Sequence, residues 1–222
     1  GIHSREDGKI LTQDKKESPL LFPKTVYLFM SQHIGAPASP IVKKGDFVKK
    51  GQLVGTAQGF VSANVHASIS GKVADVVPWP HPITGVRSPA VVIENCGEDS
   101  WIEGMSVASD IDLISPDEIR LLIQSAGIVG LGGATFPTHV KLTPPKDKII
   151  DTVVMNGAEC EPYLTCDYRL MLEKPHEIIQ GLKLVMKCIG CKKAHIGIEA
   201  NKSDVYTIFK NIVLNDPDIK VD

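Results

Sequence analysis

Apolar residues in the first half of the chain stand in short runs between turn-forming residues. The runs are bounded by single glycines at 45, 51 and 71, each followed by a polar residue, and by a proline-rich stretch at 78–82, and they cover 53–54, 72–77 and 90–93. Runs of this length fit strands, and no helix fits between successive turns. The pattern predicts a charged lead-in over 1–25, which leads into a first strand, and an all-β module over 26–100.

The second half changes to helical periodicity. Ser115, Pro116 and Glu118 form a capping box with proline at the first helical position, and apolar residues at 119, 122 and 123 continue the helix towards Gly127. Further predicted elements are a strand at 148–155, a helix at 175–188, a strand at 194–198, a helix at 203–214 and a strand at 219–221. Strands that alternate with helices predict a Rossmann-like parallel α/β domain over 101–222. The pattern breaks off within a strand, so we expect this domain to be incomplete.

Length, charge and cysteine content narrow the classes of function. At roughly 100 to 200 residues per domain, a chain of 222 residues accommodates the two predicted domains. The formal net charge of −2 provides no positive excess for neutralising phosphates, so nucleic acid is not an expected partner. The longest uncharged run, 51–71, contains many polar residues and is not expected to cross a membrane. Five cysteines, an odd number, favour a reducing compartment over a disulfide-bonded fold.

The glycine segment, residues 127–141, is the first candidate site. It does not match the dinucleotide fingerprint, because the third glycine would fall at Thr135 and the segment follows a helix. It also lacks the Gly-Lys-Ser/Thr of a P-loop. Glycines let a backbone approach an anion or a flat ring closely, and Lys141 offers a positive charge for a phosphate. A glycine-rich turn without a ligand is the alternative.

The second candidate follows the strand predicted at 148–155. Asn156, Glu159 and Glu161 stand just beyond its end, and in open α/β sheets ligands bind beyond the carboxyl ends of strands. Carboxylate and amide oxygens there are suited to accept hydrogen bonds from a ribose or a heterocycle. A solvated acidic loop is the alternative interpretation.

Together the two segments resemble a known family. The stretches GLGGATFPTHVKL (130–142) and NGAECEPYLTCDYRLM (156–171) closely resemble the C subunits of Rnf ion-translocating electron transport complexes. Those proteins are in turn similar to the flavoprotein subunit of respiratory complex I. The resemblance extends to 1–3 and 31–37 and so covers nearly the whole chain.

The resemblance implies a flavin site and a nicotinamide site. Relative to the complex I pattern, the chain has Leu131 in place of Arg, Thr135 and His139 in place of Gly, and Ala158 in place of Asp. Phe136 and Glu161 would face the nicotinamide nucleotide. The residues implied to line the FMN site are Gly130, Gly132, Gly133, Lys141, Asn156 and Glu159.

The implied activity is electron transfer between NAD(H) and iron-sulfur carriers through FMN, with no catalytic acid or base assigned in this chain. The 4Fe-4S clusters of the family would lie in a part of its chain beyond these 222 residues, which we expect to be inactive alone. The implied partners are other subunits of a membrane-bound complex and a ferredoxin-type carrier, with the protein peripheral on the cytoplasmic side. A non-catalytic docking scaffold is the alternative function.

The β module has a resemblance of its own. Residues 42–52 and 66–73 look like the two halves of a biotinyl/lipoyl-type barrel-sandwich hybrid. Such carriers need a modifiable lysine between the halves, and none stands between Lys50 and Lys72, so we expect an unmodified module. The cluster Lys43, Lys44, Lys49 and Lys50 is interpreted as either a docking surface or a solvated face.

Metal binding is not predicted. Cys188, Cys191 and His195 are three soft ligands at short spacing, whereas structural zinc usually takes four. Buried or incidental thiols are the favoured interpretation of this pair.

Overall fold

The structure is a computed structural model that describes residues 7–20, 22–104, 113–131 and 133–222. It contains two compact units. One, the α/β unit, combines the residues up to Leu20 with Pro145–Asp222, and the other, the β unit, spans Leu21–Pro144. These units do not coincide with the segments 1–25, 26–100 and 101–222, which remain a prediction about domains.

The β unit contains two antiparallel sheets. One sheet has the strand order β1-β7-β6-β3, and the other has the order β2-β4-β5. The strands are β1 (Thr25–Phe29), β2 (Ser39–Pro40), β3 (Phe47–Val48), β4 (Leu53–Thr56), β5 (Val65–His66), β6 (Gly71–Pro80) and β7 (Arg87–Asn95). Five of the seven have five residues or fewer, as the short apolar runs predict.

Alternating residues of these strands form the core of the β unit. In β1, β7 and β6 the registers Leu28↔Val91↔Val76 and Val26↔Ile93↔Val73 place apolar side chains on one face, where they join residues of the other sheet. On the opposite face Tyr27 and Trp79 stack with ring centroids 4.5 Å apart. The buried members of the core are Leu28, Met30, Ala38, Val48, Val54, Val65, Ala67, Ile69, Val73, Val91 and Ile93.

Pro78 and Pro80 lie in a strand and not in the predicted turn, which begins after them. Strand β6 continues through Pro80 and pairs Pro78 with Pro89, so the turn lies at 81–86. Beyond its short pairing with β3, this end of β6 has a neighbour on one side only, where the missing amide hydrogen of proline is tolerated.

The described residues of the β unit also form two α-helices: α1 (Pro116–Ser125) and α2 (Thr138–Lys141). The predicted capping box is confirmed, because the amide of Glu118 donates to the Ser115 hydroxyl and the Glu118 carboxylate accepts from the Ser115 amide. Of the apolar residues at helical spacing in α1, Ile119 is buried, but Leu122 is exposed. The apolar periodicity of α1 therefore indicates a wider buried face than the helix has, because α1 lies at the surface.

The α/β unit is built on a parallel sheet with the order β10-β9-β8: β8 (Thr152–Asn156), β9 (Lys193–Gly197) and β10 (Ile219–Val221). The predicted helices are α4 (Pro175–Ile189) and α5 (Ser203–Ile212), whereas α3 (Cys166–Glu173) and a 3-10 helix (Lys9–Leu11) were not predicted. The core between helices and sheet contains Met171, Ile179, Leu182, Met186, Ala194, Ile196, Val205, Phe209, Val213, Ile219 and Val221.

The other face of this sheet is open: Val154 is 71% exposed and His195 is half-buried. Within the described ranges, no helix is long and apolar enough to span a bilayer, the longest being the 15 residues of α4.

Candidate functional site

The glycine segment folds back on itself within the β unit. The Gly130 amide donates to the carbonyl of Phe136 (2.9 Å), and the Thr138 amide donates to the carbonyl of Ile128 (3.1 Å). These bonds bring the two sides of the turn together and leave its tip in solvent. Gly132 lies outside the described residues.

Gly133 is exposed at this tip. A β-carbon built there has no heavy atom within 4 Å, and its φ lies outside the left-handed region. A β-carbon at Gly130 would be in ordinary contact, 3.5 Å from the Phe136 amide nitrogen. The fold itself therefore does not require glycine at position 133, and the open space beside the backbone is suited to a flat ligand.

The flanking side chains have different surroundings. Phe136 is half-buried, whereas Lys141, at the end of α2, is exposed. In the described part of the chain the Lys141 ammonium makes no ion pair. It is therefore free to pair with an anionic ligand.

Two residues of this segment support its shape. Thr135 has φ of 47°, a left-handed conformation that is rare for a β-branched residue. His139 is buried, and its Nε2 lies 3.0 Å from the carbonyl oxygen of Phe60, against whose ring it packs edge-on. The complex I pattern has glycine at both positions; His139 adds contacts that a glycine does not make, whereas Thr135 adopts a backbone conformation that glycine adopts more readily.

The acidic loop, residues 157–165, follows β8 in the α/β unit. Asn156 at the strand end is exposed and its Oδ1 accepts a hydrogen bond from the Ala158 amide (3.0 Å), while Glu161 is exposed. Glu159 behaves differently, because its side chain is only 5% exposed. The structure thus presents two of the three predicted polar residues to solvent and turns the third inward.

The buried Glu159 carboxylate caps the N-terminus of α3. It accepts hydrogen bonds from the amide of Asp167 (2.9 Å), the amide of Tyr168 (3.4 Å) and the thiol of Cys166 (3.3 Å). Burial raises the pKa of Glu159, but these hydrogen bonds and the positive charge of Lys202 outweigh it, so the pKa lies below its ordinary value. Glu159 is therefore a carboxylate at neutral pH.

The sulfur atom of Cys166 lies near two acidic groups and has a hydrogen-bond partner within the unit. Donor atoms of Glu159, Cys166 and Asp167 lie within 4.8 Å of one another, a grouping that the helix cap accounts for. Burial and the Glu159 carboxylate raise the pKa of the Cys166 thiol, which therefore stays protonated as a donor.

The cysteine pair considered as a metal site is buried. The Cys191 thiol donates to the carbonyl of Lys193 (3.1 Å), and the His195 Nδ1 lies 2.5 Å from the Asp222 carboxylate. In the described residues Cys188, Cys191 and His195 do not bring their ligand atoms within 4.8 Å of one another. The expectation of no bound metal stays a prediction.

In the β module, residues 57–64 connect β4 to β5 without a lysine, at the place where a carrier would have its modified residue. Of the lysine cluster, Lys44 pairs with Asp75 (3.6 Å) and Lys49 with Glu103 (3.1 Å). Lys50 pairs with Asp99 (2.9 Å) and lies over the ring of Trp101. Three of the four lysines thus have acidic partners within the unit.

Comparison with known proteins accounts for both parts of the chain. The model of the RnfC barrel sandwich hybrid domain matches residues 1–98, and that of the Nuo51 FMN-binding domain matches residues 123–222. The chain therefore combines a barrel-sandwich hybrid with an FMN-binding α/β domain, which confirms the predicted fold class.

Relatives identify the family more closely. The chain is 50% identical over 202 residues to the C subunit of a proton-translocating ferredoxin:NAD(+) oxidoreductase complex from Clostridium ljungdahlii, with 91% of this chain and 44% of that protein covered. It is 48% identical over 226 residues to the C subunit of the Na(+)-translocating complex from Acetobacterium woodii, with 99% and 51% covered. The C subunit of an ion-translocating oxidoreductase complex from Rhodobacter capsulatus is 43% identical over 203 residues, with 91% and 39% covered.

This protein belongs to the family of C subunits of Rnf complexes, as the resemblance implied. The chain spans about half the length of the first two relatives. A crystal structure of an NAD+-reducing NiFe-hydrogenase aligns with 48% of this chain and 20% of its own, at 22% identity and a TM-score of 0.41.

Proposed function

We propose that the chain is the FMN- and NAD(H)-binding part of a peripheral redox subunit. In this role it moves electrons between NAD(H) and iron-sulfur carriers within an ion-translocating electron transport complex. Family membership supports the redox role, and the Nuo51-type domain supports FMN as the cofactor. The coupling partner is a ferredoxin-type carrier, in keeping with the names of the relatives.

The observation that carries the proposal is the tip of the glycine segment. Gly133 leaves open space where a side chain would stand, and Lys141 has no acidic partner in the described part of the chain. A flat ring and a phosphate are the two chemical groups of FMN that such features accommodate. We assign flavin contact to Gly130, Gly132 and Gly133, and the phosphate to Lys141.

The second group of proposed ligand residues lies within the α/β unit. Asn156 and Glu161 are exposed next to the carboxyl end of β8, where an amide and a carboxylate accept hydrogen bonds from ribose hydroxyls or a ring nitrogen. Glu161 and Phe136 are assigned to the nicotinamide nucleotide. Glu159 is assigned to the flavin environment through the position of its loop, because its carboxylate is occupied by α3.

Bound FMN supplies the redox chemistry, exchanging a hydride with nicotinamide and single electrons with metal clusters. The chain's own residues bind and orient the two nucleotides. We assign none of them the role of acid or base. We assign the 4Fe-4S clusters to the part of the family's chain that lies beyond these 222 residues, and we assign the protein to the cytoplasmic side of the membrane, next to the other subunits.

Flavin content tests the proposal most directly. We expect the purified protein to release FMN on acid precipitation, or to quench the fluorescence of added FMN with saturation, and we expect NADH to bleach the bound flavin without oxygen. A protein that neither retains nor binds FMN would contradict the proposal and leave the docking scaffold as the function.

A further inference from the structure

Two lysines of the α/β unit are almost completely buried. Lys9 is 9% exposed and Lys202 is 6% exposed, although lysine is rarely buried unless its ammonium is paired. They lie 193 positions apart in the sequence, yet both ammonium groups approach Glu159 of the acidic loop. Neither lysine belongs to the residues that the resemblance assigns to a ligand.

Lys9 holds the backbone of the acidic loop at two points. Its ammonium donates to the carbonyl of Glu159 and to the carbonyl of Leu164 (2.9 Å), and so bridges most of the loop. The N-terminal strap, residues 7–13, adds a bond from the Tyr163 amide to the carbonyl of Asp7 (2.6 Å) and one from the hydroxyl of Thr165 to that of Thr12 (2.8 Å). These contacts fix the second half of the loop.

Lys202 holds the side chain of the same glutamate. Its ammonium lies 2.8 Å from the Glu199 carboxylate and 3.7 Å from the Glu159 carboxylate, as an ion pair without a well-aligned hydrogen bond. It stands at the N-cap of α5, above the ring of Tyr168. One cation therefore lies between the buried carboxylate of Glu159 and the partly buried carboxylate of Glu199, which would repel each other in its absence.

The result is a loop fixed from both sides. Lys9 holds the Glu159 carbonyl, Lys202 faces its carboxylate, and the amides of α3 occupy the remaining acceptor sites. A residue fixed in both backbone and side chain determines how the next residues project, and Glu161 follows two positions later on the exposed side. Burying two ammonium groups costs desolvation free energy, which their contacts to Glu159, Leu164 and Glu199 offset, so much of the charge in this region serves to hold one surface loop.

We propose that Lys9 and Lys202 are positioning residues that set the orientation of the acidic loop and, through it, of Glu161 towards the nicotinamide nucleotide. This role rests on the proposed function, because it assumes that the loop contacts NAD(H). Both residues act through Glu159 and touch no substrate themselves.

The test compares Lys9→Met and Lys202→Met with Lys202→Arg, which keeps the charge, and with Lys192→Met, an exposed lysine of the same unit, as the matched control. Hydrogen exchange followed by mass spectrometry on the full-length protein reports the loop directly. We expect the Tyr163 amide region to exchange at least tenfold faster in both methionine variants, with Lys192→Met unchanged and Lys202→Arg close to wild type.

The second measurement is the reduction of bound flavin by NADH. We expect KM for NADH to rise about tenfold in the methionine variants while kcat and the affinity for FMN change little, with recovery in Lys202→Arg. If Lys202→Met does not fold, Lys9→Met decides, because its loss removes contacts to carbonyls only.

Three results would overturn the proposal: unchanged exchange in the folded methionine variants, faster exchange with an unchanged KM for NADH, or a loss of kcat and of stability without a rise in KM. A wild-type protein without flavin binding would instead contradict the proposed function. The exchange measurement needs no flavin, so the two failures are distinguishable.

Discussion

Replacing Gly133 should weaken FMN binding without destabilising the chain. A β-carbon at this position meets no heavy atom within 4 Å, and φ is not left-handed, so alanine fits the free fold. Alanine also lowers the entropy of the unfolded chain, so we expect the free energy of unfolding to change by between about 0 and +1 kcal/mol. With flavin bound, the same methyl group enters a close contact and costs about 1–3 kcal/mol. That corresponds to affinity weakened about five- to 150-fold.

Gly127 provides a matched control with the opposite pattern. It has φ of +67°, and a β-carbon there would lie 2.2 Å from the carbonyl oxygen of Asn64. Gly127→Ala should therefore lower the free energy of unfolding by at least about 1–2 kcal/mol, since left-handed backbone alone costs a non-glycine residue that much. At about 4 °C per kcal/mol the melting temperature falls by about 4–8 °C. The affinity of the folded fraction for FMN should stay normal.

The assay measures FMN affinity by fluorescence quenching and the melting temperature on the same preparations of both variants. Gly133→Ala is expected to lose affinity at constant melting temperature, and Gly127→Ala to lose melting temperature at constant affinity. A Gly133→Ala protein with normal FMN affinity and a lower melting temperature would refute the reasoning, because the glycine would then only shape a turn.

Three further predictions concern single groups. Lys141→Ala should weaken FMN binding with little change in stability, as expected for an exposed charge, and an unchanged FMN titration would contradict its phosphate role. Changing Cys188 and Cys191 together to serine should leave FMN binding intact, and elemental analysis should find no stoichiometric zinc or iron; a metal lost with the pair would show otherwise. The hydrogen bond to Asp204, with burial, raises the pKa of Tyr168 to about 12, so its stabilisation is complete below pH of about 10 and is lost as the pH rises through about 12. Asp204→Asn should move one phenolate absorbance transition to lower pH, and an unmoved transition would contradict the assignment.

Local signals account for the elements that the sequence predicts well. Helix α4 begins with Pro175 at its first position and ends at Gly190, whose φ is 71°. Helix α3 escaped prediction because its cap is Glu159, seven residues before it and outside any local capping pattern, and because Met171 is its single buried residue. Such a cap can be recognised only once the loop between Glu159 and α3 is folded.

In the candidate site, too, local features can be predicted from the sequence, whereas features that depend on distant residues cannot. The two ligand segments can be recognised from sequence through glycine content, the end of a strand and the family resemblance. The inward orientation of Glu159 could not be predicted, because it depends on Lys202, 43 positions later, and on Lys9, 150 positions earlier. A charged lead-in gives no local sign that one of its lysines is buried.

The N-terminal strap also imposes an order on biosynthesis. The Lys9 ammonium has its acceptors on Glu159 and Leu164, so about 150 residues must be made before the first of them exists. At about 5–20 residues per second, translation of that stretch takes about 8 to 30 s. The whole β unit is synthesised in this interval. We therefore expect the nascent strap to remain open to proteases and chaperones until the acidic loop has left the ribosome, after the whole β unit has been made.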